Sequence, residues 1–157
     1  MMGINKLLVG FMVFVFALSS CGNKILKQQR IMDGIVYEVM PFKNDTSSDD
    51  ETSSFKFVIS EKKAGTKIQD YFKPSNYNKL LFYINKNLNA DFKLKINEKD
   101  VYPIMVHFEP NMRMTNKLVF LIAFEKNNFN DNVSFEFNDN LFNNGNIKFK
   151  ITNDFNI

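Results

Sequence analysis

Apolar and polar side chains alternate along much of the chain after residue 54, and this alternation limits the choice of fold more than any other feature. The segment FKFVIS at 55–60 starts the pattern, which recurs in DFKLKIN at 91–97, VSFEF at 133–137 and NIKFKI at 146–151. A period of two residues is typical of β-strands that bury one face. Because no stretch combines helical spacing with capping residues, the sequence predicts an all-β fold.

Further apolar runs complete a predicted set of about eight or nine strands. They are IVYEVMPF at 35–42, KLLFYIN at 79–85, VYPIMVHF at 101–108, KLVFLIAF at 117–124 and a weaker run at 67–72. Turn residues separate the runs, at Ala64-Gly65, Pro74-Ser75-Asn76, Asn87-Leu88-Asn89, Glu98-Lys99-Asp100, Asn127-Asn128 and Asn143-Asn144-Gly145. Short strands at this spacing predict an antiparallel β-sandwich, immunoglobulin-like or transthyretin-like. A lipocalin-type barrel is the alternative.

Composition excludes several classes of function. The chain has 157 residues with one cysteine, one histidine and a formal net charge of +3, and this length suits one domain. One cysteine excludes an intramolecular disulfide framework and a zinc site built from a cysteine cluster. One histidine excludes a two-histidine catalytic site, and the dispersed charge provides no basic stripe for nucleic acid. Because motifs for nucleophilic or metal-assisted hydrolysis are also missing, the sequence favours binding over catalysis, with no cofactor.

The run at 117–124 is apolar on both faces of the predicted strand. A strand that is buried on one side does not need the second apolar face, which consists of Val119, Leu121 and Ala123. Two interpretations remain open at this point. A long loop covers this face, or the face binds a partner.

The amino terminus has the features of a secretory signal. Lys6 is its only charge, and the apolar run LLVGFMVFVFAL at 7–18 precedes Leu18-Ser19-Ser20-Cys21. Twelve apolar residues rise about 18 Å as a helix, which is short of a bilayer core of roughly 30 Å. A charged start, a short apolar run and small residues before a cleavage point predict an exported protein.

The segment Leu18-Ser19-Ser20-Cys21 resembles the lipobox of bacterial lipoproteins. The resemblance implies cleavage before Cys21, thioether linkage of that cysteine to diacylglycerol, and acylation of the new amino group. Membrane lipid is then the first partner, held through Cys21. Gly22, where an aspartate favours inner-membrane retention, points to the outer membrane. The alternative is an ordinary signal peptide or short anchor in which Cys21 has no such role.

The predicted organisation has three parts: a signal peptide at 1–20, the lipidated Cys21 with a tether at 21–34, and one β-sandwich domain at 35–157. Basic residues of the tether contact anionic headgroups, or the tether is a solvated spacer. The polar segment 44–54 (NDTSSDDETSS) is predicted to be an exposed acidic loop because it offers nothing to bury. A calcium loop is the alternative there, although the acids lack the required alternate spacing and glycine.

The only histidine lies among methionines in PIMVHFEPNMRM. Met105 and His107 share one face of a predicted strand with Glu109, and Met112 and Met114 follow in a loop. Thioether and imidazole groups are ligands for Cu(I), so these four residues are a candidate soft-metal site. The alternative is that the methionines simply fill gaps in the packing.

Two other kinds of site rest on residue type alone. Tyr71, Tyr77 and Tyr83 offer stacking faces for a glycan, or pack as half-buried strand residues. A carboxylate-pair hydrolase requires a cleft between two acids. The acids near predicted strand ends provide no pair that the sequence singles out; they are Asp91, Glu98, Asp100 and Glu109.

These observations predict a non-enzymatic, membrane-anchored lipoprotein that binds another envelope protein as a structural or accessory subunit. The β-sandwich lipoprotein that docks a trans-envelope complex in type VI secretion is similar in size and layout, which is a likeness of fold without a shared motif. The alternative is an exported ligand-binding module for a soft metal or a glycan. A surface enzyme is the third hypothesis.

Overall fold

A computed structural model describes residues 27–42, 52–63, 67–110, 116–126 and 132–151. Within these ranges the strands are β1 (Gln28–Met32), β2 (Ile35–Pro41), β3 (Thr52–Glu61), β4 (Phe92–Ile96), β5 (Lys99–Val101), β6 (Met105–Glu109), β7 (Lys117–Glu125), β8 (Val133–Asp139) and β9 (Gly145–Ile151). The helices are α1 (Lys67–Tyr71), α2 (Pro74–Lys86) and α3 (Leu88–Asp91). The predicted signal peptide and Cys21 lie outside the described residues.

The described strands form two antiparallel sheets, with the orders β1-β2-β3-β7-β6 and β5-β4-β8-β9. Their apolar faces meet in one core, so the predicted antiparallel β-sandwich is confirmed. The barrel alternative is wrong, because the described strands form two sheets and do not close into one. At one side the sheets approach each other, where Gln28 Nε2 donates a hydrogen bond to the Lys150 carbonyl.

The alternation of side chains fixes the register of each sheet. In the five-stranded sheet, Phe57 of β3 lies opposite Phe120 of β7. In the four-stranded sheet, Phe135 of β8 lies opposite Phe149 of β9. A shift of one residue would turn these rings from the core to solvent, so burial of phenylalanine specifies the register.

Phenylalanine rings from both sheets build the centre of the core. Phe57 belongs to the five-stranded sheet and packs against Phe92, Phe137 and Phe149 of the other sheet, with centroid separations of 5.2, 5.0 and 6.3 Å. All four side chains are fully buried. Tilted and edge-to-face contacts of this kind add to the stabilisation that comes from burial alone.

The prediction of strands at 67–72 and 79–85 is wrong, because these segments form α1 and most of α2. A short apolar run does not distinguish a buried strand from a helix by itself. The helical signal lies in the wider spacing of residues that pack on the core, at Tyr77, Leu80, Leu81, Ile84 and Leu88. Pro74 starts α2 at its first turn, where its missing N–H is not needed.

The helices connect the two sheets and pack at the loop between β8 and β9. Ile68 of α1, Leu80 of α2 and Leu88 of α3 are buried in the shared core. The Tyr71 hydroxyl donates to the Leu141 carbonyl at 2.6 Å. The helical connection is therefore part of the folded domain.

The apolar run at 101–108 forms parts of two strands, not the single strand that was predicted. It contributes the end of β5 in one sheet and most of β6 in the other, with Pro103 in the connection. Proline has no N–H to donate to a sheet, so a strand breaks readily there. The connection exposes Tyr102 and Ile104 to solvent.

The folded domain begins earlier than the predicted boundary at residue 35. Strand β1 lies within the predicted tether and pairs with β2 from Gln28 to Met32. The predicted acidic loop at 44–54 is also shorter than expected, because residues 52–54 belong to β3. The remainder of that loop lies outside the described residues.

Candidate functional site

The structure describes two of the four candidate copper ligands, Met105 and His107. Met105 and His107 lie on the outer face of β6 and are exposed, whereas Phe108 on the opposite face is buried in the core. Met112 and Met114 lie outside the described residues. Among the residues described, no three His, Cys, Asp or Glu side chains converge in a way that could hold a metal ion.

The three candidate tyrosines lie on helices and not on strands. Tyr71 ends α1, and Tyr77 and Tyr83 belong to α2. All three are half-buried against the core. Tyr77 stacks on Phe72 with a centroid separation of 6.3 Å. These rings pack the helices onto the sandwich, and Tyr71 also lines a cavity.

The outer face of β7 is less accessible than its apolar residues suggested. Val119 and Ala123 are 7% and 5% exposed, and Val58, which is opposite Val119 on β3, is 6% exposed. An interface patch needs accessible apolar surface. Leu121, the third residue of this face, is half-buried, so the face offers little accessible apolar surface.

Accessible apolar surface lies instead at the edge of the sandwich. Tyr102, Ile104 and Met105 are 55%, 55% and 50% exposed, and we call these three residues the apolar edge. They span the connection into β6, which is the last strand of its sheet. Within one stretch of four residues, three large side chains are therefore at least half exposed.

The larger cavity described, about 390 Å³, lies between α1, α2 and the loop after β8. Tyr71 and Phe142 form an aromatic wall with an edge-to-face separation of 5.5 Å. Burial, followed by the charge of Asp139, raises the pKa of Tyr71 above its ordinary value. The phenol therefore stays protonated at neutral pH and donates its hydrogen bond to the backbone.

A second cavity of about 240 Å³ opens on the outer side of the four-stranded sheet, and we call it the polar cleft. Residues from α3, β4, β8 and β9, together with the residue after Val101, line it. They are Ala90, Asp91, Lys93, Tyr102, Glu136, Asn138 and Asn146. Alternation places Lys93 and Glu136 here because Phe92, Leu94, Phe135 and Phe137 occupy the core-facing positions.

Glu136 organises one side of the polar cleft. It is only 3% exposed, yet each carboxylate oxygen has partners. Oε1 accepts from Lys148 Nζ at 3.0 Å and from Ser134 at 3.2 Å, and Oε2 accepts from Asn146 at 3.1 Å. Burial alone would raise the pKa of Glu136, but these donors, with Asn146 and Lys148 foremost, outweigh burial and lower it.

Asp91 occupies the other side of the polar cleft. Its Oδ1 accepts from Asn140 Nδ2 at 2.7 Å, and its Oδ2 accepts the Tyr83 hydroxyl. Burial, followed by this hydrogen bond to Asp91, raises the pKa of Tyr83 above its ordinary value. Tyr83 is thus a fixed donor that orients the Asp91 carboxylate.

The two carboxylates of the polar cleft are both held by internal partners. Glu136 accepts from Lys148, Ser134 and Asn146, and Asp91 accepts from Tyr83 and Asn140. These partners fix the carboxylate oxygens in position, an arrangement that suits the binding of a polar ligand.

Of the four acids near predicted strand ends, Asp91 lines the polar cleft, whereas Glu98, Asp100 and Glu109 do not. Glu136 was missed because it appears in the sequence as an ordinary outward residue between Phe135 and Phe137. The available signal was its register with Lys93 and Lys148, which requires knowledge of the strand pairing.

No protein-family model, curated protein or solved structure matches this chain. Across the ranges that the structure describes, none of the helices is both long and apolar enough to cross a bilayer.

Proposed function

We propose that this protein is a lipid-anchored, non-enzymatic component of the bacterial envelope that binds another envelope protein through the apolar edge. The observation that carries the proposal is the exposure of Tyr102, Ile104 and Met105 beside an edge strand. The lipobox-like segment ending at Cys21 supports the anchored location. A subunit of a secretion-type assembly, as in type VI secretion, is the finer form of this proposal.

Both features of the apolar edge favour protein binding. Large exposed apolar side chains that lie together often mark an interface. An edge strand also offers unpaired backbone groups, to which an extended segment of a partner can add as a further strand. Strand β6 has five residues, and among the described strands β7 alone pairs with it, so both kinds of contact are available at the same place.

The partner is tested by affinity purification from detergent-solubilised membranes. We expect wild type to recover a stoichiometric partner, and we expect Ile104→Asp combined with Met105→Asp to lose it. The matched control is Phe82→Asp, because Phe82 is 62% exposed on α2 and does not belong to the apolar edge. Recovery of a lone wild-type monomer, or retention of the partner by the double variant, would refute the proposal.

The anchor is tested separately by metabolic labelling with palmitate. Wild type should be labelled and Cys21→Ser should not, because one thiol is available in the chain. One acyl chain binds a membrane only marginally, whereas two or more hold firmly. Fractionation of inner and outer membranes then tests the expected outer-membrane location, and equal labelling of both proteins would rule out lipidation at Cys21.

A further inference from the structure

We propose that the polar cleft binds one neutral sugar residue, such as the end of a glycan. The proposal concerns a surface that the proposed protein partner does not need, apart from the shared ring of Tyr102. It rests on the volume of the polar cleft, its free polar groups, the pairing of its cations with acids and the exposed aromatic ring that lines it.

The volume of the polar cleft suits a single ring. Pockets for drug-sized ligands usually occupy roughly 300–1,000 Å³, and the cleft has about 240 Å³. At about 30 Å³ per water, that space holds roughly eight waters, which is room for one hydroxylated ring but not for a chain of them. The small side chain of Ala90 helps to leave this space open.

Several polar groups in the polar cleft remain available to a ligand. Within the described part of the chain, the Asn138 side chain and the Tyr102 hydroxyl form no hydrogen bonds, and the Oδ1 atom of Asn146 accepts none. Asp91 and Glu136 have filled only part of the capacity of their oxygens. This mixture of donors and acceptors fits hydroxyl groups, which both donate and accept.

The charges around the polar cleft favour a neutral ligand. Lys93 Nζ lies 2.8 Å from Asp100 Oδ2 and 3.8 Å from Glu136 Oε2, and Lys148 pairs with Glu136. The cations next to the cleft are therefore already matched by acids, and an incoming anion would also meet the Asp91 carboxylate. On the same sheet face Lys95 pairs with Glu98 at 2.9 Å, which reduces the basic character further.

The exposed ring of Tyr102 supplies the apolar contact that a sugar also requires. Tyr102 lines the polar cleft and is 55% exposed, so this aromatic side chain is accessible for apolar contact with the C–H groups of a sugar. The opposite groups are held in place before binding, since Asn146 is fixed by Glu136 and Asp91 by Tyr83 and Asn140. Prior ordering of this kind lowers the entropic cost of binding.

The test is saturation-transfer difference NMR on the full chain in a detergent without sugar headgroups. The probes are glucose and N-acetylglucosamine, with glucuronic acid as the charged counterpart. We expect saturation transfer from the protein to both neutral sugars. The signal should level off at sugar concentrations up to about 50 mM, because a dissociation constant in the millimolar range is expected for one ring. No transfer to either neutral sugar, or stronger transfer to glucuronic acid, would overturn the proposal.

Two variants locate the binding. Asn138→Ala removes a free amide and should weaken binding by about threefold to tenfold. Ala90→Leu places a larger side chain in the polar cleft and should abolish binding. Leucine is a good helix former, so the substitution suits α3. Asn78→Ala is the control, because Asn78 is an exposed residue of α2 that does not line the cleft. Binding that survives Ala90→Leu, or that Asn78→Ala weakens equally, would place the sugar elsewhere and overturn the proposal.

A further pair of variants separates sugar binding from the proposed protein partner. Tyr102→Leu keeps apolar bulk but removes the aromatic face, so it should reduce sugar binding and leave the partner bound. Ile104→Asp with Met105→Asp should give the opposite result, because neither residue lines the polar cleft. If this double variant loses sugar binding as well while remaining folded, the two sites are not separate and the assignment to the cleft is wrong.

Discussion

Asparagine side chains donate to buried carboxylates at two places in this protein, and a third asparagine does so through its backbone. Asn140 donates to Asp91, Asn146 donates to Glu136, and Asn144 donates both to Tyr37 through its side chain and to Asp139 through its backbone. A buried charge without such partners is strongly unfavourable. The asparagine-rich segment 138–146 has the composition of a turn. It therefore also supplies hydrogen-bond donors that reduce the free-energy cost of burying these carboxylates.

The lowered pKa of Glu136 predicts a loss of stability in acid. A group whose pKa is lower in the folded state contributes stability above its unfolded pKa and loses it as pH falls through the folded value. We expect Glu136→Gln to lower the free energy of unfolding by about 1–2 kcal/mol at pH 7. The difference from wild type should shrink below the ordinary carboxyl pKa of 4.5.

Urea unfolding at several pH values checks this prediction. Glu98→Gln is the matched control, since Glu98 is 90% exposed and its pair with Lys95 lies at the surface. That variant should change stability by less than about 1 kcal/mol at any pH. If the difference in free energy of unfolding between Glu136→Gln and wild type stays constant down to pH 3, ionised Glu136 is not the source of the stabilisation.

Tyr37 predicts the opposite dependence in alkali. Burial and then its 2.6 Å hydrogen bond to Asp139 raise the pKa of Tyr37 above its ordinary value of 10.0. Its contribution is complete below pH 10 and is lost above it, by about 1.4 kcal/mol per pH unit, as the unfolded chain ionises first. Tyr37→Phe should therefore flatten the stability profile above pH 10, measured by urea unfolding, and an unchanged slope would disprove the effect.

Two hairpins turn through residues with positive φ. The β1–β2 turn uses Asp33 and Gly34 at φ 46° and 80°, and the β4–β5 turn uses Asn97 and Glu98 at 47° and 66°. Two-residue hairpins need this left-handed backbone because it matches the twist of the strands. Glycine adopts it without strain and asparagine is tolerated there, so Glu98 is the poorly suited residue of the four.

Glu98→Gly should stabilise the protein by about 0.5–1 kcal/mol, because it removes the clash of Cβ in the left-handed region. The measurement is the midpoint of urea unfolding. Glu98→Ala is the control, since it deletes the same carboxylate and its Lys95 pair but keeps Cβ, and it should give no gain. Equal effects of the two substitutions would attribute the change to charge.

At the level of elements, the sequence was most reliable for strands with strict alternation. The segments at 55–60, 133–137 and 146–151 lie within β3, β8 and β9. The two segments wrongly predicted as strands are both helical: the apolar run at 79–85, where periodicity carries no information, and the weak run at 67–72. Pro103 also divided one predicted strand between two sheets. In both cases the local sequence permits more than one structure, and packing selects between them.

At the scale of the whole molecule, stability depends on one core shared by both sheets and the helices. Phe57 packs against rings from three strands of the opposite sheet, and Leu80 brings α2 into the same cluster. Because no described element has a separate core, we expect the sandwich and its helices to unfold together. Loss of a central ring should therefore weaken every element.

Phe57→Ala should lower the free energy of unfolding by about 3–5 kcal/mol, through lost burial and the cavity that remains. This loss is a large part of the roughly 5–15 kcal/mol by which a typical domain is stable. Phe82→Ala is the matched control, because that ring is 62% exposed and the Lys86 Nζ atom lies 5.5 Å from its centroid.

The measurement is urea unfolding followed by both tyrosine fluorescence and far-ultraviolet circular dichroism. The two probes should report coincident transitions in wild type. A small effect of Phe57→Ala, or separate transitions for the helices and sheets, would contradict a single shared core.

The amino-acid sequence alone determined the all-β class, the sandwich and the faces of the alternating strands. These features depend on the order of residues along the chain, because a strand face is a local pattern. The lipobox-like segment at Cys21 is local as well, and lipidation there stays a prediction. Tertiary structure alone decided that α1 and α2 are helices, that Glu136 and Asp91 share a cleft, and that Tyr102, Ile104 and Met105 form one exposed edge. Pairing across sheets brings together residues that are distant in sequence, and the burial that results decides which polar groups find partners and which remain free for a ligand.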